Sequence, residues 1–388
     1  MIHYICSYLK LILYFDHAAT TPIHPEVMEL VKLYSETHFG NASSLHSYGA
    51  KARLAVDQAF HAMAGILNCD AHQIVSTSGG TESNNLVLRG ISEKNGFQGH
   101  IITSSVEHHS VLHCCERLEE LGMRVTYLPV NRDGLIDPNS VQKAITDETL
   151  LVSIMMANNE IGTLQPISEI SQITKERGVL FHTDAVQAGG SLDCDVERLG
   201  VDFLSLSGHK FYGPKGVGLL YMRSARQISP QIIGGAHQSG LRGGTLNTPG
   251  IVGMAKALSL AQEHRETENA RLIGLRDQLI QDIQKHISGA FLCGHPTQRL
   301  PNNAHFCFEK IDGESLLMRL NNRGIAVSSG SACTAGQTDI SHVVAALGLP
   351  EQIAQGAIRI SLGKNNTDTE VSELLVALRE EIEAMRGL

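Results

Sequence analysis

The sequence predicts an α/β protein, with a mainly parallel seven-stranded sheet in a large unit and a smaller α+β unit after it. Three observations predict this. Between residues 70 and 225, seven short runs that are β-branched or continuously apolar alternate with helical patterns, as strands buried on both faces require. After Gly250 the alternation gives way to long helical stretches and a short mixed segment. Hydrophobic residues make up 42% of the 388 positions and charged residues 18%, so a large core is available and a disordered or coiled-coil chain is excluded.

The strand runs, in order, are QIVST (73–77), HIITSSV (100–106), RVTYLPV (124–130), TLLVSIMMA (149–157), VLFHTDA (179–185), VDFLSLS (201–207) and VGLLYMR (217–223). Helical patterns such as residues 167–177 lie between them, the arrangement of a parallel sheet with right-handed crossovers. Residues 251–287 read as one long helix with Leu272, Leu275, Leu279, Ile283 and Ile287 on a stripe. NAHFCFE reads as strand, ESLLMRLNNRG as a glycine-terminated helix, IAVSSG and GAIRISLG as strands, and residues 368–386 as an amphipathic helix. The length suggests two domains. The boundary is expected near residue 260, giving a large domain over 15–260, its first residues packing with the small domain, and a small domain over 261–388.

Charge and cysteine usage narrow the function classes. Thirty-one Lys and Arg against 40 Asp and Glu give −9, with no basic block, and Trp is absent. Bulk binding to nucleic acid or an anionic membrane is not expected. The eight cysteines show no CxxC and no regular spacing, which points to a reducing, cytoplasmic compartment. No apolar run reaches membrane-spanning length. The opening MIHYICSYLKLILYF is interrupted by Lys10 and runs into Asp16, so it reads as an extension plus a first strand rather than a signal peptide.

In an open α/β sheet the site lies at the carboxyl ends of the strands. After the first run comes SGGTESNN, in which small residues turn the chain and Thr81, Glu82 and Ser83 open a helix. A helix N-terminus with hydroxyls suits one phosphate. The segment lacks both the GK[ST] of a P-loop and a dinucleotide fingerprint. Asp184 stands at the end of VLFHTDA with Gln187 close behind, a carboxylate able to balance a cationic ring nitrogen. Ser207, His209 and Lys210 follow VDFLSLS, ahead of a glycine-rich turn. Each feature alone has an ordinary reading as cap, structural carboxylate or surface lysine. Together they specify pyridoxal 5'-phosphate: one phosphate, one pyridinium partner and one Schiff-base amine.

SLSGHKFYGPKGVG, with TDAVQ, MANNEIG, SGGTESNN, EHHSVL and FDHAATTP, resembles the cysteine desulfurases, fold-type I pyridoxal-phosphate enzymes of the class V aminotransferase group. The resemblance runs from about Tyr14 to the C-terminus. It implies a homodimer with shared active sites, L-cysteine as substrate and L-alanine as product. It also implies a sulfur-accepting partner such as an iron–sulfur scaffold. SSGSACTAG (328–336) resembles the longer-loop, group I type and marks Cys333 as the nucleophile that carries the persulfide. By the same resemblance Lys210 holds the cofactor, and His108 stacks on the ring and moves protons. Asp184 pairs with the ring nitrogen, and Gly80, Thr81, Ser207 and His209 hold the phosphate. Gln187 and Asn159 sit near the cofactor oxygen and the substrate. Arg359 clamps the substrate carboxylate, and Thr245 reaches a phosphate across the dimer.

Two rivals remain. Another class V enzyme, such as an aminotransferase, would not need Cys333. A metal hydrolase could be built on EHHSVLHCC, where His109 and His113 are i,i+4. No regular third and fourth ligand set accompanies them, so Cys114 and Cys115 read as packing and no metal is expected.

Overall fold

The computed structural model describes residues 13–329 and 340–387. Twelve strands lie among them: β1 (Leu13–Tyr14), β2 (Ile74–Thr77), β3 (His100–Ser104), β4 (Arg124–Leu128), β5 (Thr149–Ser153), β6 (Leu180–Asp184), β7 (Phe203–Ser207), β8 (Gly218–Met222), β9 (Ala290–Cys293), β10 (Asn303–Phe308), β11 (Ile325–Ala326) and β12 (Ala357–Ser361). Seven form one sheet in the order β2-β8-β7-β6-β5-β3-β4. Pairing is parallel from β7 through β6, β5 and β3 to β4, and β8 runs antiparallel to both β7 and β2. The mixed α/β architecture with a mainly parallel sheet is therefore the one the strand runs predict. Each run overshoots its strand by one to four residues, at one end or at both.

The continuous hydrophobicity of these strands has a direct cause. Successive side chains point to opposite faces, and both faces are covered. Ile74, Ile102, Val152, Phe181, Leu204 and Leu219 pack into one buried cluster. Their neighbours Val75, Ile101, Leu151, Phe203 and Leu220 pack into another on the far side. One polar residue crosses the sheet centre. His182 on β6 is fully buried and bridges Ser153 Oγ (2.8 Å from Nδ1) on β5 to Ser205 Oγ (3.0 Å from Nε2) on β7.

The expected long helix is two helices, Thr248–Glu263 and Arg265–His286, broken at His264. The break lets each half serve a different core. Met254, Leu258 and Ala261 pack on the large sheet. Leu272, Leu275, Leu279, Ile283 and Ile287 pack with Phe306, Ile358 and Leu374. That second core covers an antiparallel sheet in the order β12-β10-β9, backed by the helix Asp368–Arg386. β1 pairs in parallel with β11, so Phe15 enters the same core. Among the described residues no helix is long and apolar enough to cross a membrane.

Topology fixes where chemistry can occur. β2 and β7 are both antiparallel to β8, so β2 points the same way as β6 and β7. Their last residues, Thr77, Asp184 and Ser207, reach one edge of the sheet.

Candidate active site

At that edge lies a cavity of about 350 Å³. Of the predicted residues, Gly80, Thr81, His108, Asn159, Asp184, Gln187, Ser207, His209, Lys210 and Arg359 line it. Thr245 does not; it is solvent-exposed in the single chain. Cys333 lies outside the described residues.

The helix Gly80–Lys94 begins at the cavity wall, where its first backbone N–H groups carry the positive end of the helix dipole. Glu82 anchors this start. Its carboxylate accepts from the Ser78 backbone N–H (2.8 Å) and is gripped by Arg242 through Nε (2.9 Å) and Nη2 (3.2 Å). A side chain larger than hydrogen at Gly80 would bring Cβ to 2.5 Å from Val186 Cγ2.

Asp184 ends β6 and is buried. Its Oδ1 accepts from the Val186 backbone N–H (2.9 Å) and its Oδ2 from Asn84 Nδ2 (2.7 Å). Asn84 Nδ2 also lies 2.9 Å from Ser110 Oγ, and Ser110 Oγ lies 2.8 Å from His108 Nδ1. A hydrogen-bonded chain thus joins the strand-end carboxylate to the histidine. His108 caps the helix His109–Glu120, its Nδ1 accepting from the Ser110 backbone N–H (3.1 Å). That acceptor role leaves the neutral ring's proton on Nε2. Burial, with Lys210 in support, lowers the His108 pKa against the pull of Asp184 and favours this neutral form.

Lys210 stands in the turn after β7, and its Nζ donates to the carbonyls of Ala18 (2.6 Å) and Ala19 (2.8 Å). Gln187 Nε2 donates to the same Ala18 carbonyl (3.0 Å). His209 Nδ1 lies 3.1 Å from Thr20 Oγ1, and burial first, then Lys210 and Lys215, push its pKa down to about 4. The FDHAATTP segment is thereby laid across the strand ends by polar contacts from β7's turn.

Arg359, on β12, is almost wholly buried. It donates to Asp16 Oδ1 (2.8 Å) and the Asn159 carbonyl (3.0 Å), while its buried Nε has no hydrogen-bond partner. An unpaired buried guanidinium donor is costly, and at a cavity wall it suits a carboxylate ligand.

The residues present fit pyridoxal phosphate. The helix start and the hydroxyls of Thr81 and Ser207 offer an anion end, the buried Asp184 a cation partner, and Lys210 an amine on the same cavity. Sequence reading missed the connecting residues. Asn84 and Ser110 lie inside motifs already singled out, but only the fold brings them between Asp184 and His108. Asp16 has no local signal for pairing with a residue 343 positions away. Glu107 is also buried behind the site, taking hydrogen bonds from Ser104 Oγ and the Met155 backbone N–H, and burial raises its pKa to about 8. The histidines weighed as metal ligands make other contacts: His109 stacks on His113 and lies 3.2 Å, Nε2 to Nδ1, from His342. Cys114 and Cys115 are buried in the core behind the sheet.

The class V aminotransferase model matches residues 13–374, and the chain belongs to that family of pyridoxal-phosphate enzymes. Its similarity to curated relatives is high over nearly its whole length. It is 46% identical over 381 residues to "Cysteine desulfurase IscS" of Dictyoglomus turgidum, covering 98% of this chain and 97% of the relative. To "Cysteine desulfurase IscS" of Methanosarcina thermophila it is 48% identical over 376 residues, covering 97% and 93%. Within the class V family, the chain therefore falls among the cysteine desulfurases. A solved "NifS-like protein" superposes with a TM-score of 0.91 at 37% identity, over 96% of this chain and 100% of that one. "SspA in complex with cysteine" superposes with a TM-score of 0.80 at 38% identity, over 90% and 98%.

Proposed function

We propose that this chain is a cysteine desulfurase that converts L-cysteine to L-alanine at the cavity described and passes the sulfur, as a persulfide on Cys333, to an acceptor protein. The observation that carries the reading is the convergence of Lys210, Asp184 and the Gly80 helix start on one cavity whose far wall presents the unpaired Nε of Arg359.

Lys210 would hold the cofactor and act as base at the substrate Cα. Gly80, Thr81, Ser207 and His209 would hold its phosphate, and Asp184 its ring nitrogen. When bound, the cofactor supplies an electron sink that labilises the substrate's Cα–H and Cβ–S bonds. Arg359 orients the substrate carboxylate, and Asn159 and Gln187 line the same wall. The Cys333 thiolate attacks the substrate sulfur as its bond to Cβ breaks. Alanine leaves with the protons that cysteine and the thiol bring, so no outside oxidant is needed. His108, neutral with its proton on Nε2, can exchange a proton at that atom.

Three further readings belong here. The enzyme is a homodimer in which Thr245 completes the partner's site; exposed Leu45 (98%), Ile233 (88%) and Phe39 (66%) supply apolar surface for the contact. Residues 15–260 and 261–388 act as two domains, supported by their separate cores. The acceptor is a protein such as an iron–sulfur scaffold in the cytoplasm, in keeping with the free cysteines among the described residues.

The test is direct. Given L-cysteine and a thiol reductant, but no 2-oxo acid, the purified enzyme should release alanine and sulfide in equal amounts, and Lys210→Ala should release neither. A strict requirement for a 2-oxo acid would point to an aminotransferase instead.

A further inference from the structure

Behind the cavity wall, the small antiparallel sheet gathers three side chains that the desulfurase chemistry does not use. Cys293 on β9 is the cross-strand partner of His305 on β10. Cys307 lies two residues beyond His305 on the same strand, so strand alternation puts all three on one face. All three are buried, Cys293 at 2% exposure and the others at 0%. Neither ring nitrogen of His305 has a hydrogen-bond partner. The Cys293 and Cys307 sulfurs are 3.3 Å apart, and one ligand atom from each residue lies within 4.8 Å of the other two.

We propose that Cys293, His305 and Cys307 form a metal site for a single thiophilic closed-shell ion, copper(I) or zinc. Metal–sulfur distances of about 2.3 Å and metal–nitrogen distances of about 2.0–2.1 Å place the donor atoms of one site roughly 3.5–4 Å apart, close to the spacing found. Two thiolates with an imidazole are a soft donor set, which selects these ions over magnesium, calcium or manganese. The orphaned imidazole is the second, independent sign of a ligand: a fully buried ring with both nitrogens unpaired gains a partner when metal binds. Three donors suit copper(I). Zinc calls for a fourth, and among the described residues no other His, Cys, Asp or Glu joins the group. The cluster is next to the catalytic cavity, because His305 pairs in register with Arg359 on β12, which lines the cavity.

The experiment uses the full, cofactor-loaded protein with Cys333→Ala, so that the catalytic thiol does not bind the probe. Anaerobically reduced protein is titrated separately with copper(I) and with zinc against a competing chelator, and the metal's X-ray absorption is recorded. The expected result is one ion per chain, with two sulfur ligands and one nitrogen ligand. Cys293→Ala should weaken binding at least tenfold while the cofactor absorbance is retained. Whichever ion binds more tightly identifies the metal. Failure of both ions to bind, a first shell without two sulfurs, or a Cys293–Cys307 disulfide in place of the metal would overturn the proposal. X-ray absorption of the Cys293-intact protein decides the matter even if Cys293→Ala fails to fold. None of these readouts depends on the desulfurase activity.

Discussion

At the scale of single residues, Arg359 is the sharpest probe. Its guanidinium is held by Asp16 and the Asn159 carbonyl with one donor left over. Removing a buried, hydrogen-bonded charge partner costs about 2–5 kcal/mol. Arg359→Ala should therefore raise the KM for cysteine by roughly 30-fold or more, since 1.4 kcal/mol is tenfold, while the cofactor's absorbance stays. Arg359→Lys keeps charge for Asp16 and should recover part of the loss; steady-state kinetics measures both. A near-parental KM in Arg359→Ala would remove the clamp from the account. Single residues were partly legible in the sequence. Lys210, Asp184 and Arg359 stand at strand ends or inside strands with recognisable neighbours. Asn84, Ser110, Glu107 and Asp16 were not, because their roles come from partners 26 to 343 positions away.

At the scale of elements, the strands were legible because a sheet covered on both faces writes continuous apolar runs into the chain. The break at His264 was not, since residues 262–269, QEHRETEN, carry no glycine or proline to mark it, and only the presence of two cores requires a turn. Two elements carry predictions. The helix Gly80–Lys94 is held against Val186 so closely that Gly80→Val should displace its start. Cofactor affinity, measured by absorbance titration, should fall at least tenfold; unchanged affinity would show that this helix start does not bind the phosphate. The central strands are tied by His182, whose pKa burial depresses to about 3. An unfolded histidine titrates near 6.5. Below that pH the unfolded chain takes up a proton that the folded one refuses, so stability declines as pH falls from 6.5 toward 3. The slope is about 1.4 kcal/mol per pH unit for each such group. His182→Gln keeps polar atoms at the bridge and removes this titration. Its urea midpoint, measured between pH 4 and 6.5, should depend less on pH than the parental one; an identical dependence would contradict the assignment.

At the scale of the whole molecule, one chain assembles every proposed cofactor and substrate contact among the described residues except Thr245, which is exposed. That arrangement makes sense in a dimer whose sites each borrow Thr245. Mixing Lys210→Ala chains with Thr245→Ala chains should then restore activity, because a heterodimer places both defects in one site and leaves the other whole. No recovery in verified heterodimers of two inactive variants would argue against sharing. The central claim is that the chemistry at this cavity ends in sulfur carried on Cys333. The measurement that tests it most directly is mass spectrometry of thiol-alkylated peptides after a single turnover with L-cysteine, in the parental enzyme and in Cys333→Ser. The account predicts one added sulfur on the peptide containing Cys333, and in Cys333→Ser cofactor binding without alanine or persulfide. Alanine and sulfide formed by Cys333→Ser at the parental rate, or the added sulfur found on Cys114 or Cys115, would contradict it.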